Sequence, residues 1–206
     1  ILSAVEVIGR IPDAYFQAVG SGTGAIAAWE NAERLAADGR FGENKMRIYA
    51  SQNAPFTLMY DSWKAHSREL VPISPDESRR KAEVILGKVL SNRKPPYSIA
   101  GGLFDVLEKS NGDMFKVSND EIVSWVVQYI NLEGYDIFPA SACAVASLKQ
   151  ALDAGIVKRD ETVMLNITGG GLFNATKKGY VIKEPDLVLS PDLPAEEIIM
   201  AVDKLF

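Results

Sequence analysis

The stretch Tyr15-Phe16-Gln17-Ala18-Val19-Gly20-Ser21-Gly22-Thr23-Gly24-Ala25-Ile26 decides the fold. Tyr15 to Val19 is a short β-favouring run, Gly20 to Gly24 interrupts it, and Ile26, Trp29, Ala32, Leu35 and Ala36 then recur at helical spacing until Gly39 closes the segment. The order is strand, glycine loop, helix. In a parallel sheet such a loop lies outside the carboxyl end of a strand, where ligands bind. Glycines let the backbone approach closely and turn several N–H groups inward, the following helix adds its positive end, and Ser21 and Thr23 add hydroxyl donors. Together these suit a phosphate dianion. The plainer alternative is a tight strand-to-helix turn, which seldom needs three glycines and two hydroxyls.

The alternation continues along the chain. Residues up to Ile8 look like the tail of an amphipathic helix stopped at Gly9. Strands are expected at Met46 to Ala50, Met114 to Val117 and Thr162 to Ile167, and helices at Pro55 to His66 (with Pro55 in the first turn), Glu77 to Leu90, Gly101 to Lys109, Ser141 to Ala154 and Pro194 to Leu205. Ser118-Asn119-Asp120-Glu121 reads as a capping box opening a helix through Ile130. Four strands alternating with helices predict an α/β fold, a parallel β-sheet flanked by helices. No composition shift or fixed-period repeat divides it, so residues 1–206 read as one α/β portion; the start at Ile1, already in a helix tail, suggests a piece of something longer.

The chain has 206 residues, 47% hydrophobic and 24% charged, enough to bury a full-sized core. Its net charge of -5 argues against nucleic acid or anionic membrane as partners and leaves small molecules or proteins. No apolar stretch is long enough for a membrane span. One cysteine, Cys143, and one histidine, His66, cannot assemble a Cys/His zinc set or an internal disulfide, so no metal is expected and a reducing compartment, the cytoplasm, fits.

Read through Ala25, the loop also satisfies the loose dinucleotide pattern G-x-G-x-x-A. However, Met46 to Ala50 is followed by Ser51, Gln52 and Asn53, with no acid to hold a ribose hydroxyl, so a phosphate alone is the better ligand. No G-x-x-x-x-G-K-[ST] occurs, which removes the triphosphate cradle. Thr168-Gly169-Gly170-Gly171 closes the last strand; if that strand lies near the first, both loops open on one edge and share a pocket, where Thr168 would offer a neutral hydroxyl to a heteroaromatic nitrogen. A plain turn is the alternative there.

Three runs carry a resemblance: Pro12-Asp13 with Phe16 to Gly24; Ser118 to Glu121 leading through Glu133-Gly134 to Pro139-Ala140-Ser141-Ala142; and Leu165-Asn166-Ile167-Thr168-Gly169. In that order they resemble the C-terminal half of threonine synthase-like enzymes of fold type II (tryptophan synthase β-like), which use pyridoxal 5'-phosphate. Ser51-Gln52-Asn53-Ala54-Pro55-Phe56 and Gly169 to Asn174 are most similar to the cysteate synthase branch, which replaces the phosphate of O-phospho-L-serine with sulfite to give L-cysteate for coenzyme M synthesis. The resemblance implies that Gly20, Ser21, Gly22, Thr23 and Gly24 bind the cofactor phosphate and that Thr168 faces the pyridine nitrogen. It implies a homo-oligomer at full length. Threonine synthase or another fold type II lyase is the alternative within the family, and a non-catalytic phosphate-binding module the alternative outside it.

Two departures stand out. The family carries its catalytic lysine in an N-terminal segment, and none of the lysines from Lys45 to Lys204 lies in a resembling context, so this piece is expected to hold no catalytic residue and to be inactive alone. Many relatives have a glutamate before the Pro-Ala-Ser stretch, where this chain has Phe138. His66 lacks a positioned partner and reads as structural or surface. Cys143 reads as a small core residue, Arg79-Arg80-Lys81 as a solvated helix face, and Trp29, Trp63 and Trp125 as core.

Overall fold

The computed structural model describes residues 1–181, 183–190 and 192–206. They form two compact units, residues 1–171 and 172–206.

The first unit is built on β1 (Ala14–Ala18), β2 (Arg47–Asn53), β3 (Asp113–Val117) and β4 (Val163–Leu165). They pair in the order β3-β2-β1-β4, every neighbour parallel. Parallel pairing requires crossovers, and helices supply them. On one face α1 (Leu2–Ile8), α2 (Thr23–Asp38), α3 (Leu58–Lys64) and α5 (Leu103–Ser110) pack over Tyr15, Val19, Ile48, Ala50 and Met114. On the other, α6 (Asn119–Glu133) and α7 (Pro139–Asp153) cover Ala14, Phe16, Ala18, Tyr49, Phe115 and Val117. Alternate strand residues thus feed opposite layers. Phe16 and Tyr49 stack at 4.7 Å between ring centroids, and each such buried aromatic contributes about 1.5–3 kcal/mol.

Local chemistry sets the helix ends. Gly39 closes α2 with φ +77°, its N–H donating to the Leu35 carbonyl. Ser118 and Glu121 form the expected capping box: the Glu121 N–H donates to Ser118 Oγ at 3.2 Å and the Ser118 N–H to Glu121 Oε2 at 2.7 Å. Along α7 the buried Ala140, Ala142, Ala144 and Ala146 bring the helix close against the sheet.

Three expectations need correcting. The strand expected over Met46 to Ala50 runs on to Asn53, because Gln52 and Asn53 find buried partners of their own. Pro55 does not open the next helix: it lies in a turn closed by the Phe56 N–H on the Asn53 carbonyl at 3.0 Å, and α3 begins at Leu58. The helix expected from Glu77 to Leu90 stops early, as α4 (Pro75–Val84), followed by a 3-10 turn at Lys88–Leu90. Side chains replace the helical bonds there: Asn119 accepts from the Leu86 N–H and donates to the Val84 carbonyl, and Asn53 Oδ1 accepts from the Gly87 N–H.

The second unit carries α8 (Leu172–Lys177), which the sequence reading missed, and α9 (Ala195–Asp203), which begins after Pro194 and places Glu196 and Glu197 in its first turn.

Candidate cofactor site

The site grows from the carboxyl ends of β1 and β4. Because these strands are paired in parallel, with Ala14 opposite Val163 and Phe16 opposite Leu165, the loops that follow them emerge on the same edge. The strand adjacency is as expected, whereas the two cavities that Thr168 lines include no residue of Gly20–Gly24.

Gly22 occupies the position before α2 with φ +83°, and no side chain caps this helix. The first helical bond is that of the Ile26 N–H to the Gly22 carbonyl at 3.0 Å. Among the described residues no acceptor takes the N–H groups of Gly22, Gly24 or Ala25. Ser21 Oγ and Thr23 Oγ1 lie 2.9 Å apart, with the Thr23 N–H 3.3 Å from Ser21 Oγ. Within a few consecutive residues the loop thus holds amides without a protein acceptor, two hydroxyls and the positive end of a sixteen-residue helix, the kinds of donor a phosphate needs.

Gly20 is needed for space, since its φ is not in the left-handed region. A Cβ there would stand 2.6 Å from the Val89 carbonyl oxygen and 3.3 Å from Leu90 Cα. The Lys88–Leu90 turn thus packs directly on the loop, held by the Gly87 N–H donating to Asn53 Oδ1 at 2.9 Å. Asn53 also donates from Nδ2 to the Val117 carbonyl and to Asn119 Oδ1, each at 3.1 Å.

Thr168 lies across from that turn. A cavity of about 400 Å³ is lined on one side by Leu86, Gly87, Lys88 and Val89 and on the other by Phe138, Pro139, Ala140 and Thr168. Lys88 is its one charged lining residue, and its Nζ donates to the Ala82 carbonyl at 3.3 Å and to that of Glu83. A second cavity of about 400 Å³ meets Thr168 from its other side, beside Tyr129, Tyr135 and Ile137. Val89 is thus common to the Gly20 contact and to the cavity that Thr168 lines.

The turn after Thr168 is pinned. The Phe138 N–H donates to the Gly169 carbonyl at 3.0 Å, the Gly171 N–H to the Asp136 carbonyl at 2.7 Å, and Ile137 bridges to Gly170. A Cβ on Gly169 would meet the Phe138 ring at 2.7 Å, and one on Gly170, whose φ is +151°, the Asp136 carbonyl at 2.3 Å. Phe138, read from the sequence only as a departure, is therefore the wall against which this turn is shaped.

Other candidates fall outside the site. Ser51, Gln52 and Asn53 are fully buried and do not offer a ribose contact. Cys143 is also fully buried, with Sγ 3.7 Å from Ser51 Oγ; burial pushes its thiol up to about 12. His66 sits exposed in the turn after α3 with φ +50°. Arg79 and Arg80 are exposed on α4, where Lys81 pairs with Glu77 at 2.9 Å. Trp63 is buried, whereas Trp29 and Trp125 are half-buried at the margins of the two cores. Among the described residues no group of three His, Cys, Asp or Glu could hold a metal ion, and no helix is long and apolar enough to cross a membrane.

The family model described as "Pyridoxal-phosphate dependent enzyme" matches residues 1–169. The chain belongs to the pyridoxal-phosphate dependent enzyme family. Its curated relatives include a cysteate synthase of Methanosarcina acetivorans, 45% identical over 202 residues, covering 96% of this chain and 48% of that protein. Another, from Methanocella paludicola, is 45% identical over 98% of this chain and 48% of its own length. A third, from Methanoregula boonei, is 47% identical over 88% and 43% respectively. The chain spans about half the length of the curated relatives it matches. Among solved structures, threonine deaminase isoform 2 from Solanum lycopersicum superposes with a TM-score of 0.58 at 14% identity, covering 86% of this chain and 43% of that one. Serine racemase from Dictyostelium discoideum gives 0.52 at 16%, covering 82% and 47%. At such identities these two show the fold: the α/β architecture of fold type II, as expected.

Two groups at the site had no assigned role in the sequence reading. Asn53 enters the sequence reading only as a non-acidic residue after a strand and within a family motif, although it carries the turn that packs on Gly20. Ser141 was quoted only within a family motif, although its hydroxyl bonds the residue after Thr168. Neither gives a periodic signal.

Proposed function

We propose that this chain is the cofactor-holding part of a pyridoxal-phosphate enzyme of the cysteate synthase type, which converts O-phospho-L-serine and sulfite to L-cysteate and phosphate. The observation that carries this reading is the common edge on which the Gly20–Gly24 loop and Thr168 emerge, through the parallel pairing of β1 with β4. The similarity to cysteate synthases over nearly the whole chain supports the choice of branch.

The N–H groups of the Gly20–Gly24 loop and the hydroxyls of Ser21 and Thr23 would hold the cofactor phosphate, and Thr168 would orient the ring by a hydrogen bond to its nitrogen. When bound, pyridoxal phosphate supplies the electron sink for a carbanion at the substrate α-carbon. Thr168 is a neutral partner, so it would leave the ring nitrogen unprotonated and favour loss of the β-substituent over transamination. In the net reaction the bond from the β-carbon to the phosphate oxygen breaks, its electron pair leaving on phosphate, and a carbon–sulfur bond forms from the sulfite lone pair. Residues 1–206 form one portion of that enzyme, the catalytic lysine lies in a part of it that this chain does not include, and the full-length enzyme assembles as a homo-oligomer in the cytoplasm.

The test is the product of the full-length enzyme supplied with O-phosphoserine and sulfite, with cysteate detected by mass spectrometry and phosphate release measured alongside. Equal amounts of cysteate and phosphate are expected. Threonine from O-phosphohomoserine, with no cysteate, would move the protein to the threonine synthase branch, and turnover of neither substrate together with no cofactor bound would leave a phosphate-binding module.

A further inference from the structure

We infer that Ser141 is a positioning residue for the cofactor ring, acting through Thr168; the inference rests on the reading that Thr168 faces the ring nitrogen. Ser141 is fully buried in the first turn of α7, where Pro139 supplies the first helical residue. Its Oγ donates to the Gly169 carbonyl at 3.0 Å and accepts from the Gly169 N–H at 3.1 Å, so one hydroxyl holds both polar backbone groups of the residue after Thr168. The same oxygen lies 3.4 Å from Thr168 Oγ1.

A serine hydroxyl has one proton, and here the Gly169 carbonyl takes it. In the contact between the two hydroxyls, Thr168 must therefore be the donor and Ser141 the acceptor. That contact is long for O–H···O, whose usual range is about 2.5–3.0 Å, so it holds the Thr168 proton weakly. Among the described residues no other group bonds the Thr168 hydroxyl. Thr168 can therefore give its proton to a ring nitrogen in the cavity while Ser141 keeps the backbone beneath it in place. Phe138 strengthens this from below, its N–H sharing the Gly169 carbonyl and its ring leaving no room for a Cβ at Gly169. The serine of the Pro-Ala-Ser stretch thus links the start of α7 to the direction of a hydroxyl on the cavity wall.

The experiment uses the full-length holoenzyme loaded with cofactor labelled with 15N at the ring nitrogen, read by 15N NMR for the ring and by 31P NMR for the phosphate. Thr168→Val removes the partner and is expected to move the ring resonance. Ser141→Ala is expected to move it in the same direction by a smaller amount while the 31P resonance stays in place, since the Gly20–Gly24 loop is untouched. A purely structural serine would lower the unfolding midpoint without moving the ring nitrogen. If Thr168→Val shifts the ring signal and Ser141→Ala leaves it at the wild-type position, the inference is overturned while the reading of Thr168 stands. If Thr168→Val itself causes no shift, that reading falls and the inference with it. Should Ser141→Ala not fold, Ser141→Cys, which keeps the volume but weakens the clamp, is read by the same criteria.

Discussion

Replacing Gly20 by alanine places a Cβ 2.6 Å from the Val89 carbonyl oxygen, against 3.4 Å for ordinary contact, so one side must retreat by about 0.8 Å. Neither side retreats easily. Gly20 is tied to β1, whose partner strand is engaged through the Val19 N–H on the Ser51 carbonyl, and the Val89 turn is tied by Asn53 to β2 and by Asn119 to α6. Overpacking of this kind costs about 1–3 kcal/mol. The displacement falls on the loop proposed to hold the phosphate and on the turn that lines the cavity, so binding should suffer along with stability. We expect Gly20→Ala to weaken pyridoxal phosphate binding by about tenfold, or about 1.4 kcal/mol, and to lower the unfolding free energy, read from the urea transition, by about 1–3 kcal/mol. Titration followed by tryptophan fluorescence reads the first, and denaturation of the 206-residue chain the second. Gly9→Ala is the control: its φ is +74° in open space, so it strains the backbone by about 1 kcal/mol and should leave cofactor binding alone. Unchanged affinity and midpoint in Gly20→Ala would refute the close approach of loop and turn.

Cys143 should resist maleimide in the native chain at pH 8 and react fully in denaturant, because burial pushes its thiol up to about 12; native labelling at the rate of a free thiol would contradict its placement. The folded-state value lies above the unfolded one near 8.5, so stability should also decline as pH rises past that unfolded value. Ser118→Ala should cost about 1 kcal/mol, measured by urea denaturation at neutral pH. Burial would raise the Glu121 carboxyl, but the N–H and hydroxyl of Ser118 and the Gln150 amide outweigh it and hold the group below its ordinary range. Its stabilisation is therefore present above the unfolded value near 4.3 and lost as pH falls through the lower folded one, so Glu121→Gln should flatten the acid limb of the stability profile; an unaltered limb would show that the cap carries no titrating charge.

The fold was legible where apolar residues carry a period. Ile26, Trp29, Ala32 and Leu35 marked α2, the alternation of strand with helix marked a parallel sheet, and Ser118 with Glu121 marked a helix start to the residue. The Gly20–Gly24 turn between β1 and α2 was legible because glycines concentrate between a β-favouring run and a helical period. At β2 and the end of α4 the departures share one cause: polar side chains withdrawn from water that serve distant backbone. Gln52 looks like a loop residue, yet its Oε1 accepts from the Met59 and Tyr60 amides and so carries β2 past Ala50 while opening α3. Asn119 looks like an ordinary first helical residue, yet it ends a helix thirty-five positions earlier by taking over the Val84 carbonyl.

This pattern explains why the halves of the site differ in how much the chain reveals of them. In the proposed function the phosphate end needs only consecutive residues, since the donors would be the amides of one loop and one helix start, and a local motif can state that completely. The ring end needs a hydroxyl held at a fixed height above a strand end, and no local run can hold it: Thr168 depends on Gly169, Gly169 on Ser141 and Phe138, and these on the point where α7 meets the sheet. Substitutions at the two ends should therefore behave differently. Changes in Gly20 to Gly24 act directly on the anion and disturb binding, whereas changes at Ser141 or Phe138 act through the backbone of another element and alter the ring environment with the phosphate still held. The separation of 31P from 15N responses measures that difference, and a Ser141→Ala protein that lost both signals together would show the two ends to be one coupled unit.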